Sequence, residues 1–338
     1  MSRKAPIAVE SADLTAHPGV RAWHELGRDG GAAAVELWRE ESLTKPAIYR
    51  LRFADPAHPA VFAKRCLKTS VALERRIYEE ILPHLPLSTP RYFGFRQDED
   101  GYGWLFIEDV GSERFSPIDP AQRGLAARWL GLLHRSGADL PAAGRLPDAG
   151  AARYLGHLRA AREKIRGSSG NPGLTSEHRA TLNGILALLD ALEARWHEFE
   201  RACEGLPATL VHGDFRPKNV RVRNHGPVPG LYPIDWETAG WGVPAADLAP
   251  ARGSGLGMQV DPHVYETVVR ARWPSLDAAA IRKLSILGHV FRALAGIEWA
   301  SESLVFESRD WLGKPVNLMP SYAARIAHAI EAAPEWLA

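Results

Sequence analysis

The sequence predicts an α+β protein of two lobes, a small β-rich N-terminal lobe and a larger helical C-terminal lobe with a hairpin embedded in it. Three observations carry this. Short apolar runs, separated by polar or proline-containing turns, fill the first third of the chain. From about residue 119 the apolar residues recur instead at the helical period. Strand-like runs then return once, between two helical stretches.

Taken in order, Ala32–Trp38, Ala47–Phe53 and Ala60–Cys66 read as an antiparallel meander. Ser70–Leu82 has the helical period, with Val71, Leu73, Ile77, Tyr78 and Ile81 as its apolar positions, and Pro83 ends it. Arg91–Arg96 and Gly103–Ile107 form two more strands around the turn Gln97–Gly101. A tether near residue 108 separates residues 1–108 from residues 109–338. Asp119 is a helix N-cap with proline at the next position, opening Pro120–Ser136. Ala151–Arg166 and Ser176–Glu204 are long helical patterns, divided by the loop Gly167–Gly173. Ala208–Val211 is strand-like. Val220–Arg223 and Leu231–Ile234 make a hairpin, and from roughly residue 260 the chain is again helical.

Composition narrows the function classes. At 338 residues, 46% hydrophobic and 24% charged, the chain has ample core and an ordinary make-up. A net charge of +1 gives no general electrostatic case for a nucleic-acid partner or an anionic membrane. Two cysteines, Cys66 and Cys203, build neither a disulfide framework nor a structural zinc site, which fits a reducing compartment. The N-terminal residues lack a signal-peptide apolar stretch, and no run approaches the roughly 18 apolar residues of a membrane span. The expectation is a cytoplasmic protein. No Gly-x4-Gly-Lys-Ser/Thr, His-Glu-x-x-His or Gly-x-Ser-x-Gly pattern occurs. Gly253-Ser-Gly-Leu-Gly257 lacks the third glycine of a dinucleotide site at its spacing.

The chemistry concentrates in Leu210-Val-His-Gly-Asp-Phe-Arg-Pro-Lys-Asn-Val220, followed by Tyr232-Pro-Ile-Asp-Trp-Glu237. Asp214, then Asn219 five residues on, then Asp235 after one hairpin, supply a carboxylate for an attacking hydroxyl and hard oxygen ligands for Mg²⁺. These two stretches resemble the aminoglycoside phosphotransferase and choline kinase-like family, small-molecule kinases with a protein-kinase-like bilobal fold. The resemblance implies that Asp214 is the catalytic base and that Asn219 and Asp235 are the Mg²⁺ ligands. Arg216 stands where protein kinases carry a lysine that meets the γ-phosphate, and is given a phosphate role. His212, His134 in Leu130–His134 and Asp247 in Gly242–Ala249 match the family as structural residues. Lys64, on the third strand, is the family's ligand for the α- and β-phosphates, with Glu74 as its carboxylate partner; Arg65 and Glu79 are the competing residues. Since side chains alternate along a strand, Lys64 and Arg65 cannot both face one cleft. Trp104–Gly111 resembles the hinge, where backbone around Ile107 and Asp109 hydrogen-bonds the nucleobase.

The implied co-substrate is ATP or GTP, and the implied partner a small molecule bearing a hydroxyl: an antibiotic, sugar, amino alcohol or related metabolite. One departure stands out. The phosphate-covering turn, Glu40–Pro46, has no glycine, so Ser42, Thr44 and Lys45 are the groups available there. In the C-terminal region Glu298, Trp299 and Glu302, with Glu307, Asp310 and Trp311, gather carboxylates and indoles suited to an amine-bearing or sugar-like acceptor. Phosphorylation of proteins is disfavoured by Gly213 in place of arginine and by the lack of an Ala-Pro-Glu marker between Asp235 and the next helix. A nucleotide-binding pseudokinase acting as a sensor or scaffold is the reading from another class.

Overall fold

The computed structural model describes residues 7–9, 13–28, 31–40, 46–55, 58–98, 101–141, 143–224, 229–249 and 259–333. Ser42, Thr44, Lys45 and the stretch Gly253–Gly257 lie outside the described residues. In chain order the elements are β1 (Ile7–Ala8), α1 (Pro18–Glu25), β2 (Ala32–Arg39), β3 (Ala47–Phe53), β4 (Val61–Leu67), α2 (Lys68–Arg76), β5 (Tyr92–Gln97) and β6 (Tyr102–Glu108). Then come α3 (Pro120–Gly137), α4 (Ala151–Gly167), α5 (Ser176–Ala194), α6 (Trp196–Cys203), β7 (Thr209–Val211), β8 (Val220–Arg223), β9 (Gly230–Pro233) and β10 (Gly240–Gly242). The chain closes with α7 (Ala245–Leu248), α8 (Pro262–Arg270), α9 (Ala278–Ser301) and α10 (Arg309–Glu331). Among the described residues no helix is long and apolar enough to cross a membrane.

The chain forms two compact units, residues 1–115 with 217–238, and residues 116–216 with 239–338. The first unit holds a six-stranded antiparallel sheet in the order β1-β2-β3-β4-β6-β5. Alternation sends Val35, Leu51, Val61, Ala63, Trp104 and Phe106 into one core, where they meet Val20 and Trp23 of α1. Neither β1 nor α1 was expected from the sequence. Helix α1 starts at Pro18, its N-cap being His17, whose ring nitrogen accepts from the Gly19 amide (3.2 Å). Histidine is an uncommon cap, so the usual start signal is missing. The expected helix 70–82 begins two residues earlier, at Lys68, and becomes a π-helical segment at Ile77–Ile81 before a 3-10 turn at Leu82–His84. That segment buries Ile77, Tyr78 and Ile81 together. Strands β8 and β9 pair with Val220 opposite Pro233, as the hairpin pattern predicts, and also belong to the first unit.

The second unit is helical, with β7 and β10 as an antiparallel pair. The single helix expected over 176–204 is two, because Arg195 leaves helical geometry (φ −109°, ψ 16°). The break lets Trp196 and Phe199 stack in the interior at 5.0 Å between ring centroids. Helix α9 is buried nearly all round and packs against α7 through Gly288, where an added Cβ would lie 2.0 Å from the Ala245 carbonyl oxygen.

Behind β7, one carboxylate organises the next turn of chain. Asp247 is fully buried, and its two oxygens accept from the His212 and Gly213 amides, each at 2.8 Å. His134 Nε2 lies 3.2 Å from the same group, and His134 Nδ1 lies 2.8 Å from the Tyr265 hydroxyl. A carboxylate only accepts, so Nε2 carries the proton and Nδ1 accepts from Tyr265. Burial opposes the Asp247 charge, but the His134 and His212 contacts outweigh it and hold the carboxyl below its ordinary value. Gly213 has φ +78°, a conformation side chains other than glycine rarely take, which gives the His-Gly-Asp order its reason.

Two stability predictions follow from this packing. Gly288→Ala would drive its Cβ into the Ala245 backbone, which no side-chain rotation relieves, and should cost about 1–3 kcal/mol or more by denaturant unfolding. Asp247→Asn should cost about 3 kcal/mol near neutral pH, since it leaves buried donors poorly matched. Because the folded-state pKa of Asp247 is depressed, its contribution is complete above the unfolded value of about 3.9 and is lost as pH falls through the folded value. Unfolding curves of parent and variant measured between neutral and acid pH should therefore converge toward acid; a constant gap would contradict this account.

Candidate active site

In the first unit the focus is Lys64. Its strand β4 alternates, so Val61 and Ala63 enter the core while Lys64 points to the other face. The Lys64 ammonium lies 2.6 Å from Glu74 Oε2 on α2, 3.3 Å from Asp235 Oδ1 and 3.9 Å from Glu237 Oε2. Arg65, one residue on, stacks over Tyr102 at 4.0 Å and pairs with Asp98, while Glu79 pairs with Arg75 on the surface. Burial works against charge on Lys64, yet Glu74, Asp235 and Glu237 together raise its pKa above the ordinary value. Burial, then the Asp235 charge, pushes the Glu237 carboxyl up. Three carboxylates face one ammonium, an excess of negative charge that a cation would relieve.

The hairpin brings two further oxygen donors to one end. The Ile234 amide donates to the Asn219 carbonyl (2.8 Å), extending the β8–β9 ladder by one step, so Asn219 and Asp235 flank the last rung. Asn219 is buried. Asp235 has φ +71°, the left-handed region that few side chains occupy. Strain of this kind, about 1–3 kcal/mol, persists where the surroundings over-determine it and clusters at functional positions. Among the described residues no group of three or more His, Cys, Asp or Glu could hold a metal alone. The donors present, one carboxylate and one amide, match Mg²⁺, which takes few protein ligands and completes its shell with water and phosphate oxygens.

The second unit supplies Asp214, in the turn that Asp247 holds. Its carboxylate is nearly buried and carries two guanidinium groups. Arg216 approaches with both Nε (2.6 Å to Oδ1) and Nη2 (2.8 Å to Oδ2). Arg292, on α9, places Nη2 2.5 Å from Oδ1 and donates from Nη1 to the Gly213 carbonyl (2.9 Å). The His212 ring accepts from the Asp214 amide at 3.3 Å. The Arg216 guanidinium also lies over the Trp299 ring at 6.0 Å. Between Arg216 and Pro217 the chain passes from the second unit to the first.

The remaining candidates occupy different settings. Glu298 is bound by Lys164 and has His157 Nδ1 3.6 Å away, and Glu302 lies 3.7 Å from the same lysine. Burial raises the Glu298 pKa, but His157 and Lys164 overcome it and hold the group low. Trp299 meets His157 edge-on, and Trp311 is exposed. Ile107 is buried in β6. The Asp109 carboxylate binds Arg50 and caps the Gly111 amide at 2.9 Å, while the Asp109 amide donates to the Ala60 carbonyl (2.8 Å). Two residues beside the candidates were not singled out from the sequence. Glu237 stands two residues after Asp235 in the same motif, and its charge there was the available signal. Arg292 had no signal, because only the packing of α9 brings it to Asp214.

The profile of the phosphotransferase enzyme family matches residues 44–281. No curated protein matches the chain by sequence. Solved structures do match in fold. The GDP complex of wild-type aminoglycoside 2'-phosphotransferase-IIIa is 16% identical, covers 92% of this chain and 99% of that one, and superposes with a TM-score of 0.61. The choline kinase of Cryptosporidium parvum is 13% identical, covering 90% of this chain and 93% of that one, with a TM-score of 0.56. A spectinomycin phosphotransferase in complex with ADP and spectinomycin is 12% identical, covering 92% and 94%, with a TM-score of 0.57. At such identities the structures establish a shared fold, the protein-kinase-like fold expected from the sequence. With the family profile spanning most of its length, the chain belongs to the phosphotransferase enzyme family.

Proposed function

We propose that the protein transfers the γ-phosphoryl group of ATP or GTP to a hydroxyl of a small molecule, with Asp214 as base and Mg²⁺ on Asn219 and Asp235. The observation that carries this reading is the bracket around Lys64, held at 2.6 Å by Glu74 and at 3.3 Å from Asp235. Phosphoryl transfer asks the protein for positioned charge more than for covalent chemistry. A charged lysine fixed by a buried carboxylate, next to an acidic metal ligand, meets that demand.

In this reading residues 1–108, with the β8–β9 hairpin, hold the nucleotide, and the helical remainder supplies the base and the acceptor site. Lys64 binds the α- and β-phosphates while Glu74 fixes its position. Mg²⁺, when bound, neutralises the phosphate oxygens. Asp214 orients the acceptor hydroxyl and takes its proton, and Arg216 serves the transferred phosphate. The Asp109 amide is engaged with Ala60, so nucleobase contacts are assigned to other backbone groups of the stretch around Ile107 and Asp109. Ser42 and Thr44 keep the phosphate-turn role assigned to them from the sequence. For the acceptor, Glu298 is held closely by Lys164, while Trp299 and the half-exposed Glu302, at 3.7 Å from the same lysine, are the groups to meet an amine or a sugar ring. The relatives with solved structures, named for an aminoglycoside, choline and spectinomycin, set the chemical range of acceptors to try first.

The test is γ-phosphate consumption from Mg-ATP and Mg-GTP against a panel of aminoglycosides, sugars, nucleosides and amino alcohols. Asp214→Ala should lower turnover roughly 10²- to 10⁴-fold while nucleotide affinity, read by calorimetry, stays near parental. Asp235→Ala should weaken both nucleotide binding and turnover. An Asp235 variant that equals the parent in both measurements would sink the metal assignment, and nucleotide binding without turnover on any acceptor would favour a sensor.

A further inference from the structure

Arg216 is asked to do two things at once. Its Nη2 donates to Asp214 Oδ2 (2.8 Å) and its Nε lies 2.6 Å from Oδ1, yet the proposed chemistry needs the same guanidinium at the transferred phosphate. Once Arg216 leaves, Asp214 must be held by something else, or its orientation toward the acceptor hydroxyl is lost. The second guanidinium answers this. Arg292 grips Asp214 Oδ1 from Nη2 and the Gly213 carbonyl from Nη1, so it ties the carboxylate to the backbone of its own turn.

The two arginines differ in freedom. The Arg292 side chain is 13% exposed and rises from α9, whose neighbouring positions Phe291, Ala293, Leu294 and Ala295 are all buried. The Arg216 side chain is 34% exposed and sits on a turn. Burial and the neighbouring Arg292 charge both work against the charge on Arg216, with Asp214 opposing them. An approaching anion therefore relieves Arg216 while Arg292 keeps its two fixed partners.

We infer that Arg292 is the positioning residue for Asp214, holding the carboxylate in place while Arg216 turns to the transferred phosphate. The inference rests on the reading of Asp214 as the base. Arg292 lies outside both sequence motifs, and its role is set by its two contacts in the folded second unit.

The experiment follows phosphate release from Mg-ATP or Mg-GTP by the full chain, with water standing in for the acceptor, and measures nucleotide Kd and Tm beside it. Arg292→Met should slow release roughly 10- to 100-fold, the range expected when a reacting group is misplaced, with Kd within about twofold of the parent. Arg292→Lys, which keeps the charge and loses the fork, should fall between the two. A folded Arg292→Met that releases phosphate at the parental rate overturns the inference, as does a loss of rate that only tracks a raised Kd. If Arg292→Met does not fold, a parental rate in Arg292→Lys overturns it. Asp214→Asn separates the layers: a parental rate there removes the base assignment itself, whereas a slow Asp214→Asn beside a fast Arg292→Met removes only the role of Arg292.

Discussion

A buried carboxylate keeps its charge only if donors replace the water it has lost, and Asp247 meets that condition by collecting two successive amides and an imidazole. The amides are those of His212 and Gly213, so the bonds that keep Asp247 ionised also dictate the path of the chain into Asp214. Gly213 accommodates the turn at φ +78°, and Tyr265 fixes the His134 ring from its other side. Remove the carboxylate, and the donors of the turn face the interior unpaired. The position of Asp214 is thus a consequence of satisfying Asp247.

The first unit solves the opposite problem. Around Lys64 the charges do not cancel, since Glu74, Asp235 and Glu237 face a single ammonium. Glu74 is deeply buried and needs the lysine; Asp235 sits in a strained conformation at the hairpin end; the Glu237 carboxyl is pushed up. Carboxylates crowded beyond their counter-charge fit a place where a divalent cation and a polyphosphate arrive together, and this electrostatic imbalance is the physical content of the proposed nucleotide site.

Much of this was legible along the chain because local signals agreed with the tertiary outcome. The strands of the meander, the Asp119-Pro120 helix start and the hairpin each follow from period, cap or turn chemistry within a few residues. The rest had no local signal. Two-residue β1 exists only through its pairing with β2, and α1 is capped by a histidine. The break at Arg195 interrupts a pattern that is helical on both sides, and β10 is a glycine-rich triplet that becomes a strand beside β7.

The sequence by itself determined the order of the chemistry. Asp214, Asn219 and Asp235 follow one another along the chain, and one hairpin leaves the relation of Asn219 to Asp235 little freedom. It also determined the acidic and aromatic content near residue 300. Only the tertiary structure decided which charges meet. It chose Lys64 over Arg65 by strand alternation and Glu74 over Glu79 by helix facing, gave Glu298 to Lys164, and carried Arg292 to Asp214. The reason is physical: a charge on a long side chain has no preferred partner along the chain, and burial selects one only after the elements have packed.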